Sequence, residues 1–211
     1  MLECRGRPSV EYTAEETPMT SYTNLHFALE RLRGQAEEAI PSISDSNNGG
    51  DASGVLGPRV MIVGPVDAGK TSLVKLLTGY AIRQGRGPCI VNLDPREGVL
   101  SLPGTLTATT FSTIMDVEEG FGTSPTTGPS LVPVKLPLVY YYGFESPETS
   151  PRLYKKIVSR MALAVMSRLG EDIAGEHDFF PPPFIFGNSE ILSQIRNLTD
   201  FLYSTILWFD N

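Results

Sequence analysis

The stretch that decides the fold runs from Val60 to Arg83 and reads VMIVGPVDAGKTSLVKLLTGYAIR. It begins with a short apolar run, continues with a glycine-containing segment at residues 64–70, and then has apolar residues spaced three or four apart. This change of period predicts a strand, a loop and a helix in that order. A second apolar run, Cys89–Leu93, predicts another strand, and the order strand, helix, strand predicts a parallel sheet.

The loop within this unit carries a nucleotide-binding motif. Residues 64–71, GPVDAGKT, match the pattern GxxxxGK[ST] and lie between a predicted strand and a predicted helix, which is the context that the motif requires. Glycines allow successive backbone amides to point at phosphate oxygens, and a helix N-terminus adds partial positive charge. Lys70 is expected to reach the β and γ phosphates, Thr71 to bind magnesium, and Ser72 to donate near the α phosphate.

Asp94 is the candidate acid of the same region, because it follows the second predicted strand. The carboxyl ends of parallel strands border the ligand crevice, where a carboxylate can accept a proton from an attacking hydroxyl or hold a magnesium-bound water. A turn-forming Asp-Pro dipeptide explains the residue equally well. Arg96 is either a phosphate contact or, more commonly for such a residue, a solvated surface charge.

The remaining chain divides by composition and period. Apolar spacing predicts helices over residues 17–33 and 151–170, and Leu138–Tyr142 is typical of a strand. Residues 41–58 are rich in Ser, Asn, Asp and Gly, which predicts a flexible linker. Residues 98–137 contain many Gly, Pro, Ser and Thr and are predicted to be mostly loop.

The C-terminal part has a different character from the rest. Residues 179–187 read FFPPPFIFG, and three consecutive prolines predict irregular structure in place of a helix or a central strand. Helical spacing resumes over residues 189–209. His177 beside Asp178 has no accompanying nucleophile or metal ligand and is predicted to lie in a surface loop.

Composition and charge limit the function classes. The 211 residues are 41% apolar and 19% charged, which is typical of a globular protein. The net charge of −7 excludes bulk attraction to nucleic acid, so a nucleic-acid contact needs a local basic surface. The helix at 151–170 offers one, with four basic side chains that are either simply solvated or face RNA: Arg152, Lys155, Lys156 and Arg160. Two distant cysteines predict no disulfide framework or zinc site and favour a reducing compartment.

Several motifs occur together in an order that resembles one family. These are ETPMTSYTNLHFALERLR, MIVGPVDAGKTSL, NLDPREG, LPGTLTAT and DVEEGFGTSPTTGPSLVPVKLPLVYYYGFE. From about Glu11 to Gly175 the chain resembles the Clp-type polynucleotide 5′-hydroxyl kinases, in particular the fungal branch that serves in the messenger RNA cleavage and polyadenylation factor. The resemblance implies a P-loop kinase fold, ATP with Mg²⁺, and RNA processing in the nucleus.

The resemblance also implies site residues and domains. The family's ATP-binding loop corresponds to Gly64, Asp67, Ala68, Gly69, Lys70, Thr71 and Ser72. Lys70 and Asp94 are thereby the catalytic candidates, and Thr71 and Asp94 the metal ligands. The expected fold is α/β, an incomplete P-loop NTPase-like parallel sheet with flanking helices. The expected division is a remnant of an N-terminal domain with a connecting helix at 1–40, a linker at 41–58, a partial ATP-binding domain at 59–175, and an atypical, non-homologous tail at 176–211.

Three functions fit this sequence. The first is an ATP-binding subunit of the pre-mRNA 3′-end cleavage and polyadenylation machinery, in which ATP mainly stabilises structure. The second is an active RNA kinase that transfers the ATP γ-phosphoryl group to a 5′-hydroxyl. The third is a truncated product without independent function. The expected partners are the other subunits of the cleavage factor, with RNA as a further candidate, and neither a membrane nor DNA is expected.

Overall fold

The computed structural model describes residues 16–44, 58–65, 67–98, 100–111, 137–174, 183–188 and 205–208. Within these ranges it contains three helices and six strands. In chain order they are α1 (Met19–Ser44), β1 (Val60–Gly64), α2 (Lys70–Arg83), β2 (Cys89–Asn92), β3 (Thr105–Thr110), β4 (Leu138–Tyr141), α3 (Pro151–Ala174), β5 (Pro183–Asn188) and β6 (Thr205–Trp208).

The six strands form one sheet in the order β4-β3-β2-β5-β1-β6. The strands β2, β5, β1 and β6 run parallel to one another, whereas β3 and β4 are antiparallel additions at one edge. The α/β fold with a P-loop-type parallel sheet and flanking helices is therefore confirmed. The sequence predicted β1, α2, β2 and β4 at nearly these bounds.

Strand β1 is buried on both faces because helices cover each side of the sheet there. Along β1, Met61 and Val63 point into a core shared with α3, while Val60 and Ile62 point into a second core shared with α1 and α2. This alternation follows from the two-residue period of a strand. Burying each such side chain stabilises the fold by roughly 1.5–3 kcal/mol, so the two cores hold the sheet and its helices in place.

The N-terminal helix is longer than predicted. It continues to Ser44, so that the first four residues of the predicted linker at 41–58 are helical. Residues 45–57 of that linker lie outside the described residues. Within the part of the chain that the structure describes, no helix combines the length and apolarity needed to cross a membrane.

The predictions for residues 183–188 and 205–208 were wrong. Residues 183–188 form β5, the strand between β1 and β2, and residues 205–208 form β6 beside β1. Only one proline of the triplet belongs to β5, and Pro183 is its first residue, where the sheet tolerates proline. Strand β6 reads TILW, and β-branched and aromatic residues favour strands when a partner is present.

One further strand was missed. Strand β3, TLTATT, lies in the stretch that the sequence predicted to be loop, and it pairs with β2 and β4. The division of the chain into four domains, including a non-homologous tail, stays a prediction.

Candidate functional site

The loop after β1, described at residues 65 and 67–69, contains two residues with left-handed backbones. Asp67 and Gly69 both have left-handed backbones, with φ of 62° and 79°. A residue with a Cβ atom is strained in this region by roughly 1–2 kcal/mol, which Asp tolerates better than most and glycine avoids. Two left-handed residues on either side of Ala68 curl the chain directly before α2.

The first turn of α2 has no side-chain cap. Gly69 occupies the N-cap position, and no side-chain hydrogen bond satisfies the turn that follows it within the described residues. The first amides of a helix have no partner inside the helix, and together with the helix dipole they attract anions. The beginning of α2 therefore suits a phosphate group.

Lys70 is the cation of this loop. Its side chain is buried, with 7% of its surface exposed, and its Nζ donates a hydrogen bond to the carbonyl oxygen of Pro65. A buried ammonium is costly unless it has polar or anionic partners, and here a loop carbonyl serves. The other loop positions differ in exposure: Gly64 is buried, Ala68, Gly69 and Thr71 are half-buried, and Asp67 and Ser72 are exposed.

Asp94 lies at the same edge of the sheet as this loop. Gly64 at the end of β1 is opposite Asn188 of β5, and Asn92 at the end of β2 is opposite Phe186. The carboxyl ends of β1 and β2 therefore lie at the same edge of the sheet. Lys70 and Asp94 are close enough for their charges to interact, at the edge where α/β proteins bind ligands.

The carboxyl group of Asp94 is buried, with 7% of the residue exposed. Burial raises its pKa, while the backbone amide of Arg96 and the charges of Arg96 and Lys70 act in the opposite direction. Asp94 Oδ1 accepts a hydrogen bond from the Arg96 amide at 3.0 Å. The predicted turn is therefore present and Asp94 lies at the carboxyl edge of the sheet, while its role toward a nucleotide stays a prediction.

Asn92 supports Asp94 from the end of β2, and the sequence analysis did not single it out. Its Oδ1 accepts from the Asp94 amide at 2.9 Å, and its Nδ2 donates to the Glu97 carbonyl at 2.7 Å. The side chain thus ties both ends of the turn to the strand. The signal in the sequence was a polar residue inside the apolar run at Cys89–Leu93.

Tyr154 of α3 is a second residue near Asp94 that the sequence did not indicate. Its hydroxyl donates to the Leu93 carbonyl at 2.9 Å, and the whole residue is buried. The ring of Tyr142 contacts it edge-on at a centroid distance of 5.5 Å. The first turn of α3 is thereby fastened to the residue that precedes Asp94.

The other candidates occupy the surface or the core. His26, which was not a candidate, lies against the rings of Phe27 and Tyr80, and burial lowers its pKa. The Arg96 side chain is exposed, and so are the four basic side chains of α3. His177 and Asp178 lie outside the described residues. Within the described part of the chain, no three His, Cys, Asp or Glu side chains cluster as a metal site.

A strand, a left-handed glycine loop and an uncapped helix with a buried lysine define a P-loop nucleotide-binding protein. The family model described as "mRNA cleavage and polyadenylation factor CLP1 P-loop" matches residues 64–179, and that of the "N-terminal beta-sandwich domain of polyadenylation factor" matches residues 1–36. The first model alone covers more than half of the chain. The chain belongs to the CLP1 family of mRNA cleavage and polyadenylation factors.

Named relatives agree with this assignment. The chain is 58% identical over 171 residues to the mRNA cleavage and polyadenylation factor clp1 of Botryotinia fuckeliana, covering 81% of this chain and 34% of that protein. It is 58% identical over 207 residues to clp1 of Aspergillus terreus, covering 93% and 34%. The chain thus spans about a third of the length of these relatives.

Two solved structures are similar in fold. A wild-type Clp1p-Pcf11p complex matches with a TM-score of 0.66 and 28% identity over 92% of this chain and 42% of that one. A second structure, which concerns the Pcf11p and Clp1p interface and the structural basis for ATP loss in a point mutant, matches with a TM-score of 0.64 and 28% identity, over 90% and 42%.

Proposed function

We propose that this chain is an ATP-binding part of a subunit of the nuclear pre-mRNA 3′-end cleavage and polyadenylation machinery, and that ATP serves mainly to stabilise its structure. The observation that carries the proposal is the left-handed loop that leads into an uncapped helix beside buried Lys70. A loop of this kind places amides and one cation around a single anionic group.

The loop residues suit ATP with magnesium. The amides around Gly69 and the first turn of α2 bind phosphate oxygens, together with backbone or side-chain atoms of Gly64, Asp67, Ala68 and Ser72. Lys70 neutralises phosphate charge once its amino group leaves the Pro65 carbonyl. Thr71 and Asp94 hold Mg²⁺, which needs oxygen ligands and usually keeps several waters, so two protein ligands suffice.

The partners follow from the family. The solved relatives are complexes of Clp1p with Pcf11p, and we infer that this chain contacts other cleavage-factor subunits in the nucleus. An affinity-tagged chain expressed in a fungal host tests this inference. Recovery of cleavage-factor subunits from a nuclear extract supports it, whereas recovery of the chain alone contradicts it.

Nucleotide retention tests the central proposal. The purified chain is denatured and the released nucleotide is quantified, and ATP is expected in near-stoichiometric amount. Lys70→Met keeps most of the side-chain stem but removes the cation, and it should lose the nucleotide. The matched control is Arg83→Met, which removes a cation from the opposite end of α2.

The thermal response separates this proposal from a chain without independent function. A ligand at a hundred times its Kd stabilises a folded protein by about 2.7 kcal/mol. For a chain of this length that is roughly 5–10 °C in Tm. A cooperative melt that MgATP raises in the Arg83→Met control but not in Lys70→Met is expected. An empty, non-cooperative chain contradicts the proposal.

A second function, RNA 5′-hydroxyl kinase, is favoured by one observation. The buried carboxyl group of Asp94 has a raised pKa and lies at the sheet edge beside Lys70, as a general base for phosphoryl transfer requires. An assay with γ-labelled ATP and a 5′-hydroxyl oligoribonucleotide decides between the two functions. Transfer that Asp94→Asn abolishes establishes the kinase, and ATP retention without transfer excludes it.

A further inference from the structure

The exposed side of α3 carries an unusual concentration of positive charge for this acidic protein. Arg152, Lys156 and Arg160 are spaced four residues apart, and Lys155 lies beside this row. Side chains three or four apart lie on the same side of a helix, and all four are exposed. Residues 151–167 contain no Asp or Glu, although the chain as a whole has a net charge of −7.

These four cations are not used in the ion pairs that the structure shows. The ion pairs among the described residues join α1 to itself and to the turn after α2, and none includes the α3 cations. The buried side of α3, with Tyr154, Ile157 and Met161, holds the helix to the sheet. The basic side is therefore not needed to pack α3 against the sheet.

The basic row begins beside the phosphate-binding edge. The bond from the Tyr154 hydroxyl to the Leu93 carbonyl fastens the first turn of α3 to the residue before Asp94. Arg152 and Lys155 are the nearest sequence neighbours of Tyr154 in the row. The first turn of α3, where the row begins, is thus held at the end of the sheet that carries Asp94.

Exposed aromatic rings lie at the same end of α3. Phe144 is 41% exposed, and its ring contacts Tyr142 at 5.3 Å. Tyr142 contacts Tyr154 in turn, and its hydroxyl accepts a hydrogen bond from the Ser150 amide directly before α3. Tyr141 is 79% exposed. Aromatic rings beside a row of cations are the combination that binds single-stranded nucleic acid, because bases stack while cations follow the backbone.

We propose that Arg152, Lys155, Lys156 and Arg160 bind the phosphate backbone of single-stranded RNA, with a base stacked on Phe144. Charge complementarity selects a polyanion for this row, and the aromatic ring selects nucleobases over an acidic peptide. The proposal goes beyond the ATP-binding role, since none of these residues belongs to the P-loop, and it is tested without nucleotide.

The test is fluorescence polarisation of the full chain with a labelled 5′-hydroxyl 20-nucleotide oligouridylate over a series of salt concentrations. Each phosphate contact with a single strand contributes about 0.7 to the slope of log affinity against log salt. The double variant Lys155→Gln/Lys156→Gln should flatten the slope by about 1.4. If affinities converge at about 1 M salt, that change is roughly a 25-fold loss at about 0.1 M.

The matched control is Arg31→Gln/Arg83→Gln, which removes two exposed cations from α1 and α2, and it should bind RNA like the parent chain. Phe144→Leu should weaken binding by about fivefold or more while the salt slope stays unchanged. RNA binding is measured without nucleotide, so a failure of the ATP proposal is distinguishable from a failure of this one.

The proposal is overturned if the parent chain fails to bind the oligonucleotide. It is also overturned if the control variant loses as much affinity as the α3 variant, or if polyglutamate of equal charge competes as well as unlabelled RNA. The first result excludes RNA as a ligand, the second shows that binding depends on overall charge, and the third shows that the surface binds an acidic peptide equally well.

Discussion

Tyr154→Phe removes one hydroxyl that joins α3 to the end of β2. The Tyr154 hydroxyl donates to the Leu93 carbonyl at 2.9 Å in a fully buried environment. A typical hydrogen bond contributes about 0.5–1.5 kcal/mol net, and a buried carbonyl that loses its partner costs about 1–3 kcal/mol. The expected loss in free energy of unfolding is therefore about 1–3 kcal/mol.

Urea unfolding of the nucleotide-free chain measures this loss, with Tyr141→Phe as the matched control. Tyr141 is 79% exposed, so its hydroxyl is hydrated in both the folded and the unfolded chain. Its removal should change stability by less than about 0.5 kcal/mol. In a thermal melt, Tyr154→Phe should lower Tm by roughly 2–12 °C. Equal stability of the two variants would refute the assignment of this bond as a stabilising link.

The same variant should also reduce the gain in Tm on addition of MgATP. Leu93 precedes Asp94, and a looser end of β2 holds that carboxyl less firmly at the proposed magnesium site. If Tyr154→Phe loses stability but responds fully to MgATP, the link supports the fold alone and does not position Asp94.

Three shorter predictions concern the same region and the helix α1. Asp94→Asn should stabilise the nucleotide-free chain at neutral pH, because the raised pKa of Asp94 means that its ionisation opposes folding. The stability advantage of Asn should grow as pH rises above about 4 and vanish below it. Urea unfolding across pH measures this difference. Gly69→Ala should lower the free energy of unfolding by about 1–2 kcal/mol in an equilibrium melt. The backbone φ of 79° is the cause, because the added Cβ meets no atom within 4 Å. A loss near zero would contradict a left-handed loop. Arg86→Gln removes the ion pairs to Glu30 and Glu37 and should cost up to about 1 kcal/mol in dilute salt, with a smaller loss in 1 M NaCl; an effect that salt leaves unchanged would mean that packing is responsible.

Local pattern was sufficient for the nucleotide-binding unit. The strand, loop and helix from Val60 to Arg83 are contiguous, so the apolar period, the glycines and the position of Lys70 were all readable from one short stretch. The long helix α3 was equally plain from its apolar spacing. These elements depend mainly on neighbours three or four residues away.

Tertiary pairing decided what the local pattern missed. Strand β5 follows a proline triplet and becomes a strand because it bonds to both β1 and β2, about 90–120 residues earlier in the chain. Strand β3 is rich in threonine and resembles a loop until β2 and β4 supply ladder partners. A strand's stability comes from partners across the sheet, and these are not visible in its own residues.

The environment of Asp94 shows the same division between sequence and structure. Its place after an apolar run indicated the edge of the sheet, but its burial, its bond from the Arg96 amide and the support of Leu93 by Tyr154 exist only in the folded chain. Sequence alone determined that a phosphate-binding loop is present. Only the packing of α3 against the sheet decided how the end of β2 beside Asp94 is held, because contacts over 61 residues form when the chain folds and leave no periodic signal along it.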